Sequence, residues 1–179
     1  MKKNILLGIC GGISSYKSCE LVRLLIKAGF SVKVIMSPAA KEFVTPLVFK
    51  QLSQNPVYLD MFDSSCQDIE HISLAQWARL CVIAPLTANT LSKISQGICD
   101  NLLTTVICAL PQKVKVLLAP AMNEEMWKNP IIQKNVDNLK KHKKYVMLSP
   151  VKGELACGVY GEGRMPEVKD IFKQINEII

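Results

Sequence analysis

The chain has 179 residues, of which 49% are hydrophobic and 21% are charged, and its formal net charge is +7. This length can bury a core without disulfides or metals, and the composition excludes disordered and fibrous proteins. No apolar run approaches the roughly 20 residues that a membrane-spanning helix needs. The first apolar run is short and interrupted by glycines, which argues against a signal peptide. We therefore expect one domain over residues 1–179.

The cysteines indicate the environment in which the protein works. Seven cysteines form an odd set without a CxxC pair, and Cys10, Cys81 and Cys108 lie inside apolar runs. They are predicted to be reduced core residues, which favours a cytoplasmic protein without a metal site.

The only basic cluster, residues 140–144, is predicted to be a solvated helix end, and aromatic residues make up just 6% of the chain. Nucleic acid and membranes are therefore not expected as partners, whereas small anionic molecules fit the charge.

Taken in chain order, apolar segments alternate with helical patterns. Strands are predicted at Asn4 to Ile9, Ser31 to Met36, Leu80 to Ala84, Val114 to Ala119 and Tyr145 to Leu148. Helices are predicted over 15–28, 87–95, 101–110, 130–141 and 166–179, with further helix starts at Pro38 and Pro46 and a short amphipathic helix after His71. This alternation predicts an α/β fold with an open, doubly wound parallel sheet.

Small and hydroxyl residues follow several of these strands. They form the turn Gly11 to Ser15 after the first strand, Ser37 after the second, and Thr87 to Thr90 after the third. Helix starts of this kind favour phosphate, and ligands of such sheets bind outside the carboxyl ends of the strands. The first turn lacks GxGxxG spacing, and Ser37, which stands where NAD sites carry an acid, argues against NAD.

Asn123 follows the fourth strand within Pro120-Ala121-Met122-Asn123-Glu124-Glu125-Met126-Trp127. Its amide can serve a ligand in the same crevice, or it can merely cap the next helix. His71 is open to a structural or a catalytic interpretation. Cys157 lies in a glycine-rich stretch, about residues 152–165, which is predicted to be a functional loop. There its thiol can be an acid, a nucleophile or an inert residue.

Several motifs together resemble a known family. PAMNEEMW resembles PxMNxxMW, PLTANT resembles P-[AS]-x-A-N-T, His71 has an HI-x-L context, and ACGVYGEGRM resembles a cysteine-bearing substrate clamp. With the GGIS turn, these motifs are similar to those of the flavin-containing cysteine decarboxylases. Leu86, Thr87 and Val159 depart from the usual residues of these motifs.

The resemblance implies a Rossmann-like flavoprotein fold and a set of site residues. FMN would be held by Gly12, Ile13, Ser14, Ser37, Thr87, Ala88, Asn89 and Thr90. The catalytic residues would be His71 as the base, Cys157 as the proton donor, and Asn123, which would bind the substrate carboxylate. Substrate contacts would further involve Met122, Ala156, Gly158, Arg164 and Met165.

The resemblance also implies a reaction and an assembly. The substrate would be a small phosphorylated cysteine conjugate, 4′-phosphopantothenoylcysteine, decarboxylated to 4′-phosphopantetheine in coenzyme A biosynthesis. The chain would form a homo-oligomer, a trimer or an assembly of trimers, and another chain would supply the preceding ligase step. The alternatives are a peptidyl-cysteine decarboxylase that releases an enethiol and a non-catalytic regulatory flavoprotein.

Overall fold

Six strands form one parallel sheet at the centre of the molecule. The computed structural model describes residues 4–61, 70–154, 158 and 160–179. The strands are β1 (Asn4–Ile9), β2 (Ser31–Met36), β3 (Val57–Tyr58), β4 (Leu80–Leu86), β5 (Lys115–Pro120) and β6 (Tyr145–Met147). They lie in the order β3-β2-β1-β4-β5-β6, and every adjacent pair is parallel. The predicted doubly wound fold is therefore confirmed.

Helices cover both faces of this sheet. They are α1 (Lys17–Lys27), α2 (Pro46–Ser53), α3 (Glu70–Trp77), α4 (Ala88–Gln96), α5 (Leu102–Ala109), α6 (Glu124–Lys128), α7 (Pro130–Lys140) and α8 (Val168–Ile178). Short 3-10 helices precede α1 and α2, at Ile13–Tyr16 and Pro38–Glu42. None of the helices within the described residues is both long and apolar enough to cross a membrane.

The two faces of the sheet bury two separate cores. Along β1, Ile5, Leu7 and Ile9 pack with α1, α2 and α8. Leu6, and Cys10 directly after the strand, pack with α3, α4, α5 and α7. This alternation follows from the period of two residues in a strand. Because both faces are covered, the central strands are almost continuously hydrophobic, as expected for a parallel sheet.

A second sheet lies where the sequence predicts a loop. Strands β7 (Val151–Glu154) and β8 (Tyr160–Arg164) pair antiparallel and are not part of the main sheet. The prediction of an irregular loop over 152–165 was wrong for these strands because their glycines hide the usual strand pattern. The short edge strand β3 was also missed, since two residues show no periodicity.

Two residues differ from their predicted burial. Cys108 is exposed rather than in the core, because it lies on the face of α5 turned away from the sheet. Lys144 is buried, although the cluster around it was expected to be solvated. Its Nζ donates to the carbonyl oxygens of Leu110, at 2.8 Å, and Ile107, at 3.3 Å. The lysine thus satisfies carbonyls at the end of α5, and burial lowers its pKa.

Cys81 predicts how stability depends on alkaline pH. Burial of its thiol in β4 raises its pKa from 9.0 to about 12. A raised pKa means that the stabilisation is complete below pH 9 and is lost as the pH rises towards 12. Between pH 9 and pH 10 this thiol alone should lower the free energy of unfolding by about 1 kcal/mol. Urea unfolding at pH 9 and at pH 10 should therefore show a larger loss of stability in the wild type than in Cys81→Ala. Parallel pH profiles of the two proteins would contradict this prediction.

Candidate functional site

The candidate site is the crevice at the carboxyl edge of the sheet, where β1 and β4 lie side by side. The chain leaves β1 towards β2 and leaves β4 towards β5, so this is the point at which the strand order reverses. Open α/β sheets bind their ligands at such a point. The Cys10 N–H donates to the Pro85 carbonyl oxygen at 3.3 Å, which joins the two strand ends.

The turns that follow β1 and β4 face each other across this point. A Cβ atom at Gly12 would lie 3.8 Å from Cγ2 of Thr87 and would meet nothing closer. Thr87 caps α4, and its Oγ1 accepts from the Thr90 N–H at 3.4 Å. Ser14 and Thr87 are half-buried, and Thr90 is buried. These turns therefore combine hydroxyls, room above a glycine and the positive end of a helix, a set that suits phosphate.

The remaining predicted flavin contacts differ in exposure. Ile13 is 59% exposed and Asn89 is exposed, whereas Ala88, the first residue of α4, is buried. Ser37 is buried, and its N–H donates to the Ile9 carbonyl oxygen at 2.9 Å. The β1 and β2 turns touch, because a Cβ at Gly11 would lie 2.5 Å from that of Ala39.

Buried residues with polar groups lie beneath the crevice: Ser15, which belongs to the predicted turn after β1, and Ser18 and Cys10, for which no role at the site was predicted. Ser18 Oγ in α1 donates to the Ala84 carbonyl oxygen at 2.7 Å, and Ser15 Oγ contacts the carbonyl oxygens of Cys10 and Gly12. The Cys10 thiol hydrogen bonds with Thr87 and Thr90. Burial raises the pKa of this thiol more than those hydrogen bonds lower it, so it stays neutral. The position of Cys10 directly before the glycine turn is the feature of the sequence that could have indicated its place beneath the site.

Asn123 is exposed at the end of β5 and caps α6. Its Oδ1 accepts from the Glu125 N–H at 2.8 Å, so the capping interpretation is confirmed. The turn is tied to β4 by the Ala121 N–H, which donates to the Leu86 carbonyl oxygen at 2.9 Å. Its place at the crevice is compatible with substrate binding, which stays a prediction.

Strand β8 packs directly on this turn. The Met122 N–H donates to the Gly163 carbonyl oxygen at 2.9 Å. A Cβ at Gly163 would strike the Met122 carbonyl oxygen and lie 3.3 Å from the backbone of Asn123 and Glu124. A Cβ at Gly161 would strike the Glu124 carboxylate. Gly163 is therefore needed for this close approach, which brings β8 against the Asn123 turn, whereas a side chain at position 161 would displace the flexible end of Glu124.

The other predicted substrate contacts are spread over this region. The Arg164 guanidinium pairs with Glu167, and Met165 is fully buried in the core. Gly158 is exposed with a φ of 79°, a left-handed conformation that favours glycine. Ala156 and Cys157 lie outside the described residues. Their predicted roles, like those of the other site residues, stay predictions.

His71 lies in the first turn of α3 and is half-buried. The other end of α3 lies at the amino end of β1, where the Asn4 side-chain amide donates to the Trp77 carbonyl oxygen at 3.0 Å. The helix therefore runs away from that edge towards His71, which is at the end of α3 nearer to the carboxyl edge of the sheet. Helix α3 packs against α5. Within the described residues, no cluster of three or more His, Cys, Asp or Glu residues could hold a metal ion.

Comparison with known proteins yields a family and several close relatives. A family model described as Flavoprotein matches residues 1–179. The chain is 43% identical over 178 residues to "Probable phosphopantothenoylcysteine decarboxylase" of Streptococcus mutans, covering 99% of both chains. It is 43% identical over 173 residues to "Coenzyme A biosynthesis bifunctional protein CoaBC" of Borreliella burgdorferi, covering 97% of this chain and 44% of that protein. The chain thus spans less than half the length of this bifunctional relative.

Two solved structures share the whole fold. A Cys-to-Ser mutant of PPC decarboxylase complexed with pantothenoylaminoethenethiol has a TM-score of 0.88 and 32% identity, covering 99% of this chain and 98% of that one. "The FMN binding protein AtHal3" has a TM-score of 0.83 and 32% identity, covering 99% of this chain and 96% of that one.

The surroundings of Gly163 and Gly12 predict that alanine destabilises the protein at the first position and not at the second. Gly163→Ala should weaken the packing of β8 by about 1–3 kcal/mol, because its methyl group meets rigid backbone. Gly12→Ala should leave the free energy of unfolding within about 0.5 kcal/mol of the wild type, because its methyl group has room. Urea unfolding and limited proteolysis within residues 152–165 measure both effects. Equal behaviour of the two variants would contradict the packing argument.

Proposed function

Because the chain belongs to the Flavoprotein family, we propose that it catalyses the FMN-dependent decarboxylation of 4′-phosphopantothenoylcysteine to 4′-phosphopantetheine. The observation that carries this proposal is the packing of β8 on the Asn123 turn at the mouth of the crevice. It is supported by 43% identity to the S. mutans protein over nearly the full length of both chains. The reaction is a carboxy-lyase step of coenzyme A biosynthesis.

The groups at the carboxyl ends of β1 and β4 would suit the phosphate of a flavin mononucleotide. The start of α4 and the hydroxyls of Thr87 and Thr90 suit its phosphate, and Gly12 leaves room beside them. The turn from Gly12 to Ser14, together with Ser37 and the segment from Thr87 to Thr90, would hold the cofactor. The FMN-binding AtHal3 structure, which shares the fold, supports this choice of flavin. When bound, FMN supplies the two-electron oxidation of the substrate thiol and the later reduction.

The residues of the chain would bind the substrate and move its protons. Loss of CO2 from a cysteine carboxylate needs a group that accepts the electron pair, and a thiol oxidised to a thioaldehyde provides one. His71 would take up the proton of the substrate thiol, and the Asn123 amide would orient the carboxylate. Cys157 would then donate a proton to the enethiolate, and together with the later reduction that bound FMN would supply, this would give a saturated thiol.

The proposed assembly is a homo-oligomer, a trimer or an assembly of trimers. Large apolar side chains remain exposed on one chain around the proposed site, including Ile13 and Tyr16, each 59% exposed. Ile72, beside His71, is 41% exposed. Burying these side chains against further copies of the chain removes apolar surface from water.

Mass spectrometry of the products tests the proposed function. After incubation with 4′-phosphopantothenoylcysteine and FMN, we expect a product that has lost CO2 alone. Loss of CO2 together with two hydrogens would indicate an enzyme that releases an enethiol. Unchanged substrate in the presence of bound flavin would favour a peptide substrate or a regulatory role.

The same assay on Cys157→Ser should give an ethenethiol. The variant would still oxidise and decarboxylate the substrate, but it lacks the proton donor for the last step. The solved complex of a Cys-to-Ser mutant with an aminoethenethiol supports this expectation. Formation of normal product by the variant would remove Cys157 from the proposed role.

Asn123→Asp separates substrate binding from helix capping. Aspartate caps a helix about as well as asparagine, so the free energy of unfolding should stay within about 0.5 kcal/mol of the wild type. A carboxylate at this position would repel the substrate carboxylate, so kcat/KM should fall by about 100-fold or more. Flavin absorbance of the purified variant serves as the control. Full activity of Asn123→Asp would reduce the residue to a cap.

A further inference from the structure

The hairpin formed by β7 and β8 depends on contacts outside itself. It is a two-stranded sheet separate from the six-stranded one, and isolated hairpins of this kind are at best marginally stable in water. Its place on the molecule must therefore be fixed by the residues on which it packs. Helix α6 and the turn before it are one such surface, since α6 packs on β8.

One end of the hairpin is anchored near α8. Met165 is fully buried directly after β8, and Arg164 pairs with Glu167. Lys17 lies 3.6 Å from the same carboxylate. These contacts hold the last residues of β8, but they leave the earlier part of the strand, at residues 160–162, to be held by other groups.

Glu124 contacts that earlier part of β8. Its Oε1 lies 2.8 Å from Lys128 Nζ, and its Oε2 lies against Gly161. The hydrogen bond from Lys128, and next the backbone N–H of Glu162 that donates to the carboxylate, lower the pKa of Glu124. Lys152 of β7 adds a further attraction. One carboxylate thus bridges α6 and the hairpin.

We propose that Glu124 is a positioning residue that holds the β7–β8 hairpin on the Met122–Glu124 turn. The segment between β7 and β8 carries Cys157, and the turn carries Asn123. By fixing the strand on the turn, Glu124 would set the spacing between the proton donor and the carboxylate-binding amide. This role rests on the proposed function for its chemical consequence, whereas the contact itself does not.

The neighbouring Glu125 provides a matched control. It has the same side chain on the same short helix and is exposed. Its backbone N–H takes part in the Asn123 cap, which alanine at position 125 leaves in place. Glu124→Ala therefore removes the carboxylate that forms the bridge, whereas Glu125→Ala removes a carboxylate that faces solvent.

Hydrogen exchange at the Glu162 N–H tests the contact without any reaction. A hydrogen bond to a carboxylate protects its donor, so exchange at this amide should become about tenfold faster or more in Glu124→Ala. It should stay within about twofold of the wild type in Glu125→Ala. Equal exchange in the two variants would overturn the proposal.

A charge swap distinguishes the bridge from a simple helix ion pair. Glu124→Lys combined with Lys128→Glu restores an ion pair between positions 124 and 128, but an ammonium cannot accept from the Glu162 N–H. Exchange should remain as fast in the swapped variant as in Glu124→Ala. A return to the wild-type rate would show that the pair within α6 suffices, and would overturn the proposal.

The product ratio tests the consequence for the reaction. If Glu124 spaces the proton donor, Glu124→Ala should raise the ratio of ethenethiol to saturated thiol at least fivefold, whereas general destabilisation would lower both products equally. An unchanged ratio would overturn the positioning role. If the wild type does not decarboxylate the substrate, the proposed function fails, and the exchange experiment still decides whether Glu124 holds the hairpin.

Discussion

A series of backbone hydrogen bonds across the strand ends organises the crevice. The turn after β2 bonds to β1 through Ser37 and Ile9, and β1 bonds to the end of β4 through Cys10 and Pro85. The turn after β5 then bonds to Leu86 and, through its next residue, to β8. Because these bonds use main-chain atoms, they join the turns to one another without using the polar side chains that the turns carry. The turns can therefore present polar groups without being held by them.

The interior supports this arrangement with small buried polar groups rather than with charges. Ser15 and Ser18 bond to carbonyl oxygens beneath the turns, and the Cys10 thiol stays neutral because burial raises its pKa. Neutral groups of this kind cost little to bury when they are hydrogen-bonded. Because these groups carry no charge, the helix N-termini above them determine the electrostatic field of the crevice. That field favours an anionic ligand.

The fold was largely predictable, and the site only in outline. The bounds of β1 were predicted correctly because a strand buried on both faces is almost continuously apolar, and those of β2 because its β-branched residues alternate with other residues. The hairpin was missed because Gly161 and Gly163 serve close packing, which leaves no periodic pattern. Burial of Lys144 depends on carbonyls distant in sequence, which no local pattern reports. The assigned roles of His71, Asn123 and Cys157 stay predictions, since they concern bound molecules.

The separation of the hairpin from the main sheet has a consequence for engineering. Its strands take part in no pairing with the six parallel strands, so exchanging residues 151–164 alters no register in the main sheet. A transplanted hairpin needs a glycine at the position of Gly163, where the strand meets the backbone of the Asn123 turn, and, if Glu124 acts as proposed, an N–H donor facing that carboxylate. If the hairpin contacts the substrate as proposed, it would then be a replaceable module through which the same scaffold could be given a new substrate.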